Sequence, residues 1–255
     1  MEGYLAVQQL SNPPQLSDVS SLNLYSEDVK SLRDCKEKKC DVQITDAGLE
    51  KIQNSVDWSD PDVDKKVNAV IRPMVLEAVE RYNAGGNDAL GVYIDKESPL
   101  PVREHIENLL GRADFLPVLS PELNTYLLDY PRAELPGSED IFYWENVKFG
   151  LKPTLRLNHM VIYKVELEPN SVWVVATKQL YASHYFYTAL DMNFCVKDTA
   201  NPNQEGFYLI TLKGSRQDGL TGFTGSILRS VVTRKTRSSM ESALNGIKKR
   251  LEGGD

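Results

Sequence analysis

The second half of the chain contains five segments in which apolar and polar positions alternate, the pattern of half-buried β-strands. The clearest is residues 154–163, where Leu155, Leu157 and Val161 share one face with His159. Turn-forming residues separate the segments by short connections, which favour antiparallel over parallel neighbours. The sequence therefore predicts an antiparallel sheet built from residues 141–144, 154–163, 172–181, 184–196 and 207–212.

The hydrophobic period changes to that of a helix at Phe223. Large apolar residues then recur on one stripe as far as Leu251, which predicts a single amphipathic helix. At 1.5 Å per residue, a helix of roughly 29 residues is about 43 Å long, enough to cross a sheet. We expect its apolar stripe, which includes Leu244 and Ile247, to belong to the core.

The front half of the chain is helical where it is periodic, and prolines interrupt it. The pattern predicts helices at residues 25–34, 46–56, 60–84, 101–110 and 122–130, after a strand-like start at residues 3–8. A turn at residues 135–138 separates a mainly helical region, residues 1–136, from the sheet and terminal helix, residues 137–255. The two regions are separate domains or parts of one, and the predicted class is α+β with the sheet wrapped on the long terminal helix.

Charge is distributed unevenly along a chain of 255 residues with a net charge of −7. This acidic balance argues against general nucleic-acid binding. Residues 213–252 nevertheless carry nine Lys or Arg against three Asp or Glu. The terminal helix is therefore either a core helix with a solvated basic face, or a surface attracted to anionic lipid headgroups.

Targeting signals are not evident in the sequence. No run approaches the roughly 20 apolar residues of a membrane span, and residues 1–10 lack the basic start and apolar stretch of a signal peptide. An exported protein would have lost its signal from this chain, and the alternative location is the cytoplasm.

Cys35 and Cys40 form the one closely spaced cysteine pair. On a continuous helix they would lie about 8 to 9 Å apart, too far for a disulfide, so a bridge requires a turn. The charged residues between them favour such a turn, and a bridge favours export. The alternatives are two free thiols or half of a metal site, the latter weakened because no histidine or third cysteine follows within the next 60 residues.

Familiar catalytic and phosphate-binding motifs are absent, and we predict no catalytic residue, metal or cofactor. Aromatic residues crowd the predicted strands instead, as in curved sheets that enclose an apolar cavity; plain core packing explains the same residues. The predicted ligand-binding residues are Trp144, Tyr163, Trp173, Tyr181, His184, Tyr185, Phe186, Phe207 and Leu244.

The order of elements, from the strand-like start through helices and antiparallel strands to a glycine loop and a basic helix at residues 219–251, resembles the helix-grip fold of START-like (SRPBCC-type) lipid-binding domains. The resemblance implies a sheet wrapped around the terminal helix, an apolar ligand between them and a gate at the loop before the helix. Residues 35–40 and 181–185 also resemble an uncharacterised family of exported bacterial proteins, which implies no function.

Three functions are consistent with the sequence. The first is the binding or transport of a lipid-like hydrophobic molecule between the sheet and the terminal helix. The second is a structural role in which the helical half binds a protein partner. The third is an enzyme on the same scaffold, with His159 or His184 acting beside Asp191 or Glu145.

Overall fold

Six antiparallel strands and seven α-helices make up the described part of the chain. The computed structural model describes residues 3–36, 39–95, 101–148, 152–167, 170–199, 206–217 and 222–253, without the side chains of residues 170, 222–232 and 235–236. The elements are β1 (Gly3–Gln9), α1 (Ser26–Asp34), α2 (Asp46–Ser55), α3 (Val63–Gly85), α4 (Val102–Leu110), α5 (Leu116–Leu119), α6 (Pro121–Asp129), β2 (Glu139–Lys148), β3 (Pro153–Leu167), β4 (Asn170–Ala182), β5 (Phe186–Lys197), β6 (Phe207–Gln217) and α7 (Gly222–Leu251).

The sheet is a simple antiparallel meander in the order β1-β2-β3-β4-β5-β6. Consecutive strands are neighbours, and β1 pairs with β2 even though the helices α1 to α6 lie between them in the chain. The register places Gln8 opposite Trp144 and His159 opposite Lys178. This confirms the predicted antiparallel sheet, and the strand-like start predicted at residues 3–8 is its first strand, β1.

One face of the sheet, here called the inner face, packs against the helical half. Alternating positions on β2, β3 and β4 turn Trp144, Leu157 and Leu180 toward the helices, and all three are buried. Two buried apolar clusters fill this interface, the first mainly under α1, α2 and α3 and the second mainly under α4, α5 and α6. Each fully buried large apolar side chain contributes on the order of 1.5 to 3 kcal/mol, so this interface is the main source of stability.

Local sequence signals explain where the helices begin and end. Thr45 accepts a hydrogen bond from the Gly48 amide and caps α2, and Ser120 does the same for α6 through Leu123. α3 continues through Pro73 for 23 residues. It ends at Gly86, whose φ of +63° favours glycine and where a Cβ would lie 1.8 Å from the Tyr130 carbonyl oxygen.

The α+β class, the helical front half and the long terminal helix are confirmed. The prediction that the apolar stripe of the terminal helix is buried is wrong at Ile247 and Leu251, which are 42% and 63% exposed. The described apolar clusters lie instead against the front half, whose helices supply the cover for the inner face. The glycine loop predicted as a gate begins at residue 219; residues 219–221 lie outside the described residues, and from Gly222 onward the chain belongs to α7.

The predicted strand at residues 184–196 begins later, at Phe186. His184 and Tyr185 belong to the turn between β4 and β5, where Tyr185 has a positive φ of 68°. Among the described helices, none combines the length and the apolar character needed to cross a membrane.

Candidate functional site

An apolar cavity of about 130 Å³ lies between the inner face of the sheet and the helices α1, α2 and α3. The exposed side chain of Arg81 marks its rim. Its walls are almost entirely aliphatic and aromatic. They consist of Leu24, Leu32, Val42, Ile44, Thr45, Gly48, Ile52, Ile71, Met74, Val75, Ala78, Arg81, Ala89, Leu90, Tyr93, Trp144, Leu155, Arg156, Leu157, Leu180 and Tyr181.

The helical walls follow directly from sequence spacing. On α3, residues three, four and seven apart lie on one face, which brings Ile71, Val75 and Ala78 to the cavity. On α2, Gly48 faces the same space, and a Cβ there would lie 3.5 Å from the Met74 side chain. The tighter contacts of such a Cβ would be with the Ile44 and Thr45 side chains, both at 3.1 Å, so a larger residue would crowd the start of α2.

The aromatic side chains that the sheet contributes to the cavity donate their polar hydrogens to backbone carbonyls. Trp144 donates its Nε1 proton to the Asp18 carbonyl at 2.8 Å, and Tyr181 donates its hydroxyl to the Gln43 carbonyl at 2.9 Å. Burial raises the pKa of both Tyr181 and Tyr93, so these phenols remain neutral near pH 7. A ligand would therefore meet uncharged aromatic groups with satisfied hydrogen bonds.

A chain of buried hydrogen bonds lies on the same face of the sheet, centred on His159. His159 Nε2 is 2.7 Å from Asp140 Oδ1, and its Nδ1 is 3.1 Å from the Tyr82 hydroxyl. Burial lowers the pKa of His159, and hydrogen bonds from His159 and Tyr126 outweigh burial to lower that of Asp140. The imidazole is therefore neutral, donating from Nε2 to the carboxylate and accepting at Nδ1 from Tyr82.

Lys178 lies beside this chain, opposite His159 on the neighbouring strand. Its ammonium group donates to Asn87 Oδ1 at 3.0 Å and to the Leu127 carbonyl at 2.8 Å, and it lies 5.0 Å from the centroid of the Tyr82 ring. Burial lowers its pKa to about 7, against the opposing effect of Asp140. The alternation of apolar and polar residues along β4 did not indicate that this lysine is buried and hydrogen-bonded.

His184 has a different role, because it joins the β4–β5 turn to the front half. Its Nδ1 donates to the Asp41 carbonyl at 2.8 Å, and its Nε2 lies 2.9 Å from Asp28 Oδ1. Both partners belong to the segment that carries α1 and the disulfide. The two histidines therefore lie in different surroundings, since His159 is opposite Lys178 in the sheet and His184 is in the turn.

The predicted carboxylate partners of the histidines are wrong. Glu145 forms an ion pair with Arg156 at 2.9 Å, and Asp191 forms one with Lys213 at 2.8 Å. The register turns both acids to the face of the sheet opposite His159. Asp140 and Asp28, neither of which the sequence pattern singled out, occupy those roles instead.

Two of the nine predicted ligand-binding residues, Trp144 and Tyr181, line the cavity. Trp173 and Phe207 are each 49% exposed on the sheet. The remaining five lie elsewhere: Tyr163, Phe186 and Leu244 are partly buried, and His184 and Tyr185 are in the β4–β5 turn. The walls from α2 and α3 were missed, although their helical periodicity was visible.

Cys35 and Cys40 form a disulfide, which confirms the predicted bridge. A backbone pairing between Lys36 and Lys39 makes the required turn. Leu32 and Val42, on either side of the bridge, both line the cavity. The bridge therefore closes a segment of the cavity wall. In the described ranges no three potential metal ligands of the His, Cys, Asp or Glu type cluster together.

Comparison with known proteins returned no match to a protein-family model, to a curated protein or to a solved structure.

Proposed function

We propose that the protein binds a small apolar molecule in the cavity between the inner face of the sheet and the helices α1 to α3. The observation that supports this is the cavity itself, a space of about 130 Å³ with almost wholly apolar walls at the centre of the first buried cluster. Protein interiors are close-packed, so a space of this size among apolar side chains is uncommon and is available to a ligand.

The volume indicates the size of the ligand. An apolar cavity of about 150 Å³ accepts a benzene-sized molecule and excludes water. The cavity here is of that order, so it suits a single ring, a short branched chain or the end of a longer chain. Trp144 and Tyr181 add aromatic contact with their polar atoms already satisfied.

A lipid-like cargo, as in START-like domains, is the broader form of this proposal. Its position differs from that of the helix-grip arrangement, since the described lining comes from α1 to α3 and the sheet and includes no residue of α7. The Cys35–Cys40 disulfide supports export of the protein, because such bridges persist in oxidising compartments. The basic last turn of α7, with Lys248, Lys249 and Arg250, supports attraction to anionic membranes.

Binding of a protein partner through the helical half has less support. It requires a contiguous apolar patch on residues 60–130. Within the described part of that range, Val118 is the one large apolar side chain that is strongly exposed, at 85%.

Filling the cavity tests the proposal. Ala78 lines the cavity on α3, whereas Ala84 is exposed on the same helix. We expect Ala78→Phe to abolish binding of 2-phenylethanol measured by isothermal titration calorimetry, and to raise the free energy of unfolding by up to about 2 kcal/mol as the space is filled. Ala84→Phe should leave binding unchanged.

Two results would contradict the proposal. One is that the wild-type protein shows no binding of 2-phenylethanol at millimolar concentration. The other is that Ala78→Phe, folded as judged by circular dichroism, binds as tightly as Ala84→Phe.

A further inference from the structure

The rim of the cavity carries a positive charge that has little compensation. Arg81 follows Ala78 on α3 by three residues, so its side chain leaves the helix just beyond the apolar wall. The side chain is 60% exposed, and its Nη1 atom is 4.0 Å from the carboxylate of Glu77. The guanidinium therefore lies at the entrance with its donors free to reach an incoming group.

Glu77 is committed to another partner. Lys51 on α2 donates to both of its carboxylate oxygens, at 2.7 and 2.8 Å. This ion pair joins α2 to α3 and balances the charge of Glu77, which is the acid within 4.0 Å of Arg81 in the described part of the chain. At the 4.0 Å separation, the contact between Arg81 and Glu77 is a weak exposed interaction.

The cavity walls offer no acid to repel an anion. No aspartate or glutamate is among the described residues that line the cavity, whereas two arginines are. Arg156 uses its guanidinium on Glu145 and Gln179, which leaves Arg81 as the arginine available at the entrance. An apolar interior with a weakly paired cation at its rim is complementary to an amphiphile with a negative head.

We propose that the natural ligand is a small apolar carboxylate, whose ring or short chain fills the cavity and whose carboxylate pairs with Arg81. This rests on the proposed function. The planar guanidinium matches a carboxylate by two parallel hydrogen bonds, which a single lysine could not reproduce. The ligand enters tail first, because the cation is at the mouth and the apolar walls lie beyond it.

A pair of probes separates this inference from the proposed function. Phenylacetate and 2-phenylethanol share a ring and a chain length, and they differ in the charge of the terminal group. Calorimetric titration of the wild-type protein should give a dissociation constant about tenfold lower for phenylacetate, corresponding to about 1.4 kcal/mol. Raising the salt concentration should weaken phenylacetate binding and leave 2-phenylethanol binding unchanged.

Substitution at the rim assigns the preference to Arg81. We expect Arg81→Gln to weaken phenylacetate binding about tenfold while 2-phenylethanol binding stays within twofold, and Arg81→Lys to retain part of the preference. Arg112→Gln is the matched control, because Arg112 is exposed beyond the end of α4 and does not line the cavity.

Each outcome is decisive. Binding of 2-phenylethanol with no preference for phenylacetate, or a preference that survives Arg81→Gln, overturns the inference and leaves the proposed function standing. Failure of both probes to bind the wild-type protein overturns the proposed function, and the inference with it.

Discussion

Lys178 holds an amine in the protein interior, where the charged form is disfavoured. It is 1% exposed, and burial lowers its pKa to about 7. Two acceptors and the face of the Tyr82 ring compensate part of the cost. The alternation of β4 places it between Ala176 and Leu180, so the same pattern that predicts a core position supplies a titratable group there.

This lysine makes the stability depend on pH. Between pH 7 and pH 10 this lysine is protonated in the unfolded chain and largely neutral in the folded protein. Unfolding therefore takes up a proton, and the free energy of unfolding rises with pH. We expect the free energy of unfolding of the wild type, measured relative to Lys178→Met, to rise across this window by up to about 1.4 kcal/mol per pH unit. Urea denaturation at successive pH values measures it.

A substitution on the neighbouring strand is the control. Lys164 lies on β3 with a side chain 41% exposed and paired with Glu166. Lys164→Met should remove a charge without removing the pH trend. The interpretation of Lys178 is wrong if the wild type and Lys178→Met show the same trend.

At the scale of an element, the end of α3 depends on one glycine. Gly86 combines a φ of +63° with an approach to the Tyr130 carbonyl that leaves no room for a Cβ. This contact holds the end of α3 against the connection between α6 and β2. It thereby fixes the helix that carries both a cavity wall and Arg81.

We expect Gly86→Ala to lower the free energy of unfolding by about 3 kcal/mol or more, because the backbone must move to relieve the clash. The adjacent Gly85→Ala is the matched control. A Cβ at Gly85 would lie 3.2 Å from the Ala89 side chain, and Gly85 has a negative φ of −121°. Gly85→Ala should therefore change the free energy of unfolding by no more than about 1 kcal/mol. Thermal and urea denaturation of both variants measure the difference, and equal effects would contradict the argument.

The disulfide acts on another element, the segment between α1 and α2. Cys35 and Cys40 close a short loop flanked by Leu32 and Val42 of the cavity wall. In the chain-entropy model a loop of this length contributes about 2 kcal/mol. We expect the double substitution of both cysteines by serine to lower the free energy of unfolding by about that amount and to weaken 2-phenylethanol binding.

A comparison with the wild type treated with reductant, checked by intact mass, separates loss of the bridge from an effect of the serines. Unchanged binding after reduction would mean that the wall keeps its shape without the bridge. The hydrogen bonds from Gln53 to the Leu32 and Cys35 carbonyls, both at 3.1 Å, would then be sufficient to hold it.

At the scale of the whole molecule, the sequence predicts elements better than it predicts their contacts. Period-two alternation located five of the six strands, and helical periodicity located α3 and α7. Such patterns are local, so they identify an apolar face without specifying what covers it. The terminal helix was expected to cover the inner face, and the helices of the front half do so instead.

The candidate site shows the same limit. Trp144 and Tyr181 were predicted from their place in aromatic strands, and they do line the cavity. Arg81 and Ala78 could not be assigned to it, because this requires knowing that α3 shares the cavity lining with Leu157 and Leu180. Residues from distant parts of the chain come together there when the helices pack on the sheet, and the spacing of residues within one element does not predict these contacts.

β1 and β2 are neighbouring strands, yet the entire helical half, residues 10–138, lies between them in the chain. The rest of the sheet is an uninterrupted meander. The connection between these two strands is therefore very long, whereas every later connection between consecutive strands is short. Residues of this long connection and of the strands that it covers line the cavity. Ligand binding would thus report on whether β1 and β2 have paired, which is a contact between distant parts of the chain, of the kind that forms more slowly than local contacts.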